Sequence, residues 1–135
     1  MTTDTERLET LARDFLDVFA TRDPDAILAR MTPDPCWVFW GQPRPGREGV
    51  LAILDAATQL YLPDSTTRSY QGIYVSGNVV ILQSTLTATT FKHEPYENRY
   101  VIFVHFDGDK VSKVEEYLDT AYANRAFEGW GGLSS

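Results

Sequence analysis

The chain has 135 residues, 43% hydrophobic and 13% aromatic, with a formal net charge of -7. That length suits one domain with one core, and the apolar content lets it fold without staples. The acidic balance is the wrong sign for a nucleic-acid surface, so that class is set aside. Cys36 is the single cysteine, which rules out an internal disulfide, and no cysteine–histidine spacing suggests zinc. No metal or other cofactor is therefore expected, and a reducing cytoplasm is the simplest compartment. Residues 1–20 carry acids throughout and no unbroken apolar run, so neither a signal peptide nor a membrane span is expected.

In chain order, Thr5 to Thr21 has helical spacing. Leu8, Leu11, Ala12, Phe15, Leu16 and Phe19 recur on one face, and acids fill the first turns where the helix dipole favours them. Asp23-Pro24 restarts the chain as a cap followed by a first-turn proline, which predicts a short helix from Asp25 to Met31. The run Thr32-Pro33-Asp34-Pro35 breaks it. Cys36 to Trp40 reads as a short strand, Gly41 to Gly46 as a loop, and Arg47 to Tyr61 as a third helix ended by Pro63. From Thr66 the pattern turns to β, with strands at about Thr67–Ser76, Asn78–Phe91, Tyr96–Asp107 and Lys110–Leu118. The turns Ser76-Gly77-Asn78 and Asp107-Gly108-Asp109 suit tight hairpins. Ala121 to Trp130 is expected as a last helical turn or a segment laid over the sheet. Residues 1–130 then form one domain and Gly131 to Ser135 a flexible tail.

Helices followed by an antiparallel meander make an α+β fold, a curved sheet wrapped around the N-terminal helices with a central pocket. The order of elements resembles the nuclear-transport-factor-2-like superfamily, specifically its SnoaL-like branch. The matching residues are Phe15 and Phe19, the Gly46-Arg47-Glu48-Gly49-Val50 start of the third helix, Tyr100, the Asp107-to-Val111 turn, and above all Glu116-Tyr117-Leu118-Asp119-Thr120. The resemblance implies a conical pocket lined by the helices and the sheet's inner face.

Branches of that superfamily do different chemistry. Ketosteroid isomerases, which look similar, use a tyrosine on the first helix, an aspartate on the first strand and a protonated aspartate on the third long strand. Phe15, Trp40 and Ile102 align with those positions and none ionises, so an isomerase of that type is not expected. Limonene-epoxide hydrolases, also similar, need an arginine and two aspartates. Gln83 and Thr85 fall near the first two, and only Glu116 falls where the third acid belongs. SnoaL-type polyketide cyclases depend mainly on one acid or base in an apolar pocket, and that requirement can be met here.

Glu116 is the candidate catalyst. With Val114 and Leu118 facing inward, alternation turns it inward too, and burial of a carboxyl raises its pKa towards neutrality. The ordinary alternative is a structural glutamate bonded to a helix end or a tyrosine. Asp119 is expected to cap the chain leaving the sheet, on the amide of Ala121 or Tyr122. His105 is expected on the outer sheet face and His93 in solvent at a hairpin tip. The candidate ligand-binding residues are Phe15, Phe19, Trp37, Trp40, Tyr61, Tyr70, Tyr74, Asn98, Tyr100 and Ile102, which suit an apolar, flat or polycyclic ligand unless they simply fill the core. Val101 and Phe103 make the other face apolar as well, which predicts a homodimer through it. Two functions stand at this point. One is a cofactor-free cyclase, isomerase or hydratase working on a natural-product intermediate, and the other is a non-catalytic small-molecule-binding or assembly module.

Overall fold

The structure is a computed structural model that describes residues 3–132. The expected tail falls partly outside them, because residues 133–135 are not described. Helix α1 spans Asp4–Ala20 and buries Leu8, Ala12, Phe15 and Leu16, the stripe that the spacing set out. Thr3 caps it by accepting from the Glu6 amide. Helix α2, Pro24–Ala29, starts under Asp23, whose side chain accepts from the Asp25 and Ala26 amides. That capping satisfies donors that the first turn leaves free.

Strand β1 is longer than the sequence suggests and runs Met31–Phe39. It pairs in parallel with β6, Lys110–Leu118, and the register shifts between Met31 and Cys36. The two prolines thus sit in an irregular stretch of the strand and do not end it. Trp40 is not a strand residue. Trp40 and Gly41 both lie at positive φ, 53° and 71°, and form the two-residue turn into β2, Gln42–Pro45. The expected loop is therefore an edge strand, a position that tolerates Pro43 and Pro45 because it needs fewer ladder donors. Helix α3, Gly46–Leu60, then crosses back over β1 and β2. Its approach to β2 is close, since a Cβ on Gly49 would stand 2.3 Å from the Arg44 carbonyl oxygen.

The meander follows as β3 Thr67–Ser76, β4 Val79–Thr89, β5 Pro95–Asp107 and β6. The sheet order is β2-β1-β6-β5-β4-β3, so six strands form one mixed sheet with a single parallel pair. The expectation of an antiparallel sheet is corrected at that pair only. Helix α4, Thr120–Ala126, closes the chain, capped by Asp119 accepting from the Tyr122 amide at 3.1 Å. One irregularity matters for the site. In β3 the register shifts between Tyr70 and Gly72, so Tyr70 faces Ser84 while Ile73 faces Leu82. A bulge of one residue reverses the side-chain parity beyond it. The core lies between the inner sheet face and helices α1 and α3, with Trp37, Phe15, Ile27, Leu82, Ile102 and Val114 fully buried.

Candidate active site

A cavity of about 230 Å³ lies between α1, α3, the inner sheet face and the end of α4. Its walls include Leu16, Phe19, Ile53, Leu60, Leu86 and Phe127, which make it largely apolar. The polar groups on it are few: Asp17, Arg22, Tyr61, Thr66, Arg68, Tyr70, Tyr100 and Glu116. A mostly apolar hollow with a small polar set is the usual form of a ligand site.

Glu116 alternates inward between Val114 and Leu118 on β6, and it is only 9% exposed. It pairs across the sheet with Ile102 on one side and Phe39 on the other. The indole Nε1–H of Trp37 donates to its Oε1 at 2.7 Å. Burial pushes the carboxyl above its ordinary pKa, and the Arg68 cation and the Trp37 bond offset only part of that rise. The bond is to a side chain and not to a helix end, so the donor orients one oxygen and leaves the other for the cavity.

Beside it stands a cluster of hydroxyls. Tyr96 and Tyr100 lie four residues apart on β5, and their oxygens are 2.8 Å apart. Tyr61, just past α3, reaches Tyr100 at 3.3 Å. Burial raises the pKa of all three phenols, so they are neutral hydroxyls. Asn98 donates from Nδ2 to the Tyr96 hydroxyl and to the Asp119 carbonyl, both at 3.0 Å. The Arg68 guanidinium lies 5.1 Å from the centre of the Tyr100 ring and donates to Ser84 Oγ at 2.7 Å. Arg22, whose pKa burial lowers, packs over Phe19 and donates to its carbonyl at 3.2 Å.

Of the residues singled out from the sequence, Glu116, Phe19, Tyr61, Tyr70 and Tyr100 line the cavity together. Phe15, Trp37 and Ile102 are buried in the core beside it, and Asn98 is consumed by its hydrogen bonds. Trp37 meets Phe15 and Phe19, at ring distances of 6.0 and 4.9 Å, and acts on the site through Glu116. Trp40 and Tyr74 point elsewhere. Trp40 is 42% exposed in its turn, stacked on Phe39, and Phe39 takes the cavity position. Tyr74 is 58% exposed because the bulge before Gly72 turns it to the outer face, opposite Ile81. Gln83 and Thr85 also face outward, and Ser84 between them faces in. His105 is on the outer face, 2.8 Å from Glu115, and His93 is exposed in its turn. The residues missed are Arg68, Arg22, Asp17, Phe39, Tyr96 and Trp130. Arg68 was readable, since it shares strand parity with Tyr70 before the bulge. Among the described residues, no group of three or more His, Cys, Asp or Glu is placed to hold a metal ion.

A mixed sheet with helices across one face and a cavity between them defines the chain as an α+β protein of the nuclear-transport-factor-2-like fold. The profile of the SnoaL-like domain family matches residues 12–114, and the chain belongs to that family. That match stops short of Glu116. Solved structures agree on the fold. An NTF2-like protein of Burkholderia xenovorans LB400 is 21% identical, with 93% of this chain and 98% of that one covered and a TM-score of 0.73. A protein of Jannaschia sp. CCS1, proposed to be a SnoaL-like polyketide cyclase, is 15% identical, with 96% and 97% covered and a TM-score of 0.81. TerC, co-crystallised with polyporic acid, is 20% identical, with 91% and 99% covered and a TM-score of 0.76. No curated protein matches the chain. Among the described residues, no helix is long and apolar enough to cross a membrane.

Proposed function

We propose that the protein is a cofactor-free acid–base enzyme, of cyclase, isomerase or hydratase type, acting on a small apolar natural-product intermediate. The observation that carries this reading is a single buried carboxyl, Glu116, on the wall of an apolar cavity and held by one side-chain donor. Burial favours its neutral form, which can give a proton to a substrate oxygen or carbon; the carboxylate left behind takes one back later in the cycle. Trp37 keeps the carboxyl in one orientation, and Phe19, Phe39 and Phe127 hold the substrate against it. The volume lies just under the roughly 300 Å³ at which drug-sized pockets begin, which fits a compact ring system. Family membership and the cyclase-like neighbour support the same reading.

The test is turnover. A wild-type substrate found by screening compact apolar ring compounds loses about 10²- to 10⁴-fold in kcat with Glu116→Gln, the usual worth of a positioned acid–base group. Full turnover by that variant rules the role out. A filled core with Glu116 bonded only to backbone would favour the binding or assembly module; the cavity beside Glu116 and its Trp37 donor favour the enzyme.

We also propose a homodimer through the outer sheet face. Ile81, Val101 and Phe103 meet the exposed rings of Tyr74 and Tyr117 there, around the His105–Glu115–Lys113 cluster. So much exposed apolar surface favours a covered face. Light scattering at micromolar concentration is expected to give twice the 15.2 kDa chain mass, and a monomeric mass counts against the dimer.

A further inference from the structure

Arg22 stands where a helix usually places a glycine. It follows Thr21, the C-cap of α1, and its backbone lies in the left-handed region at φ 63°. A side chain at that position carries a steric cost that glycine avoids. The guanidinium packs over the Phe19 ring and donates one hydrogen to the Phe19 carbonyl at 3.2 Å. A guanidinium has five donors and no acceptor, so most of its donors stay unused by that bond. The strained backbone sets a half-buried cation on the cavity wall.

A second cation reaches the same cavity from another element. Arg68 of β3 is also half-buried, with one donor on Ser84 Oγ. Burial is the main reason that the Arg22 pKa falls, and the Arg68 charge lowers it further, so the two cations repel. Among the described residues, every ion pair within 4.0 Å is made by other cations. Two acids share the cavity wall. Asp17 is exposed and belongs to none of those pairs, and burial holds Glu116 towards its neutral form. The wall therefore carries more positive than negative charge, in a hollow that is otherwise largely apolar. Repulsion between half-buried cations is relieved by an anion beside both.

We propose that Arg22 and Arg68 form an anion pole of the cavity, and that the ligand is a compact apolar ring system bearing a carboxylate. The planar fork of a guanidinium matches the two oxygens of a carboxylate, and a single charge costs less to bring into an apolar hollow than a double one. This rests on the reading of the cavity as a small-molecule site and names the charge that its ligand brings. The test compares 2-naphthoate with 2-naphthamide, two probes of one ring skeleton and nearly one shape. Both carry a carbonyl, and at neutral pH only the first is charged. Calorimetry on the full chain is expected to show 2-naphthoate binding about tenfold more tightly, the value of one charge-assisted bond over a neutral one. Arg22→Gln and Arg68→Gln each keep a polar side chain and remove the charge. Each is expected to lose about threefold or more of the preference. The readout is the ratio of the two affinities, so a general weakening of binding cancels. An unchanged ratio in either variant overturns the pair. Should a variant fail to fold, the guanidinium Nε–H resonances of Arg22 and Arg68 in the wild type decide the matter. Shifts of both with 2-naphthoate beyond those with 2-naphthamide support the pole, and equal shifts with the two probes overturn it. Equal binding of the probes, or tighter binding of the amide, also overturns this inference and leaves the cavity reading standing, whereas no binding of either contradicts both.

Discussion

Glu116→Gln is expected to make the protein more stable at alkaline pH and to leave it nearly unchanged in acid. The substitution keeps the shape and the oxygen that accepts from Trp37, and removes only the charge. Three contributions decide the sign. Taking a carboxylate out of water costs several kcal/mol. The Trp37 bond returns about 1 kcal/mol more to a charged acceptor than to a neutral one. The Arg68 cation returns a further part, screened because Arg68 is only half-buried. Burial is the largest of the three and raises the carboxyl's pKa. Between the ordinary glutamate value and the raised native value, the native state binds more protons than the unfolded chain. Stability from this group is therefore complete below the ordinary value and is lost as pH rises through the native one. With the charge gone, the variant is expected to gain about 1 to 3 kcal/mol at pH 9 and to match the wild type within about 0.5 kcal/mol at pH 4. Urea denaturation at both pH values measures this. A variant less stable than the wild type at pH 9 would refute the reasoning, because Arg68 and Trp37 would then outweigh burial.

Trp37→Phe removes the donor to Glu116 and part of a side chain that is 1% exposed. Its expected cost is about 2 to 4 kcal/mol, larger at pH 9 than at pH 4 because the bond favours the ionised carboxyl; equal costs at both pH values would contradict that bond. Gly49→Ala places a methyl 2.3 Å from the Arg44 carbonyl oxygen. The clash outweighs the roughly 1 kcal/mol that alanine gains in a helix, and a net loss of about 1 to 3 kcal/mol is expected in thermal melts. Asp119→Ala deletes the cap of α4, with an expected loss of about 0.5 to 2 kcal/mol in the same assay.

The fold was legible because its signals are local. The α1 stripe, the Asp23-Pro24 restart and the bounds of β3 and β6 all follow from spacing and turn chemistry. Glu116 and His105 took their faces from simple alternation, which holds through the middle of β5 and β6. Alternation failed where one residue was inserted: the bulge before Gly72 sends Tyr74 outward while Tyr70 stays in. A glycine inside a strand was the available warning. Trp40 was misplaced for another reason. An unbroken apolar run hides a two-residue turn, and only the backbone at positive φ shows it. The hydroxyl cluster was out of reach, because it joins Tyr61 from the end of α3 to two residues of β5. Arg68 was overlooked because an arginine was sought on β4, and here it comes from β3.

The most direct test of the central claim is the titration of Glu116 itself. Side-chain carboxyl carbon-13 NMR of the folded protein, with Glu116→Gln to assign the resonance, follows it without any substrate. The account predicts a midpoint clearly above the ordinary glutamate value of about 4.3 and a resonance isolated from those of the surface acids. A midpoint at or below that value would mean a stably ionised carboxylate, and the cavity would then lack the proton donor on which the proposed chemistry depends.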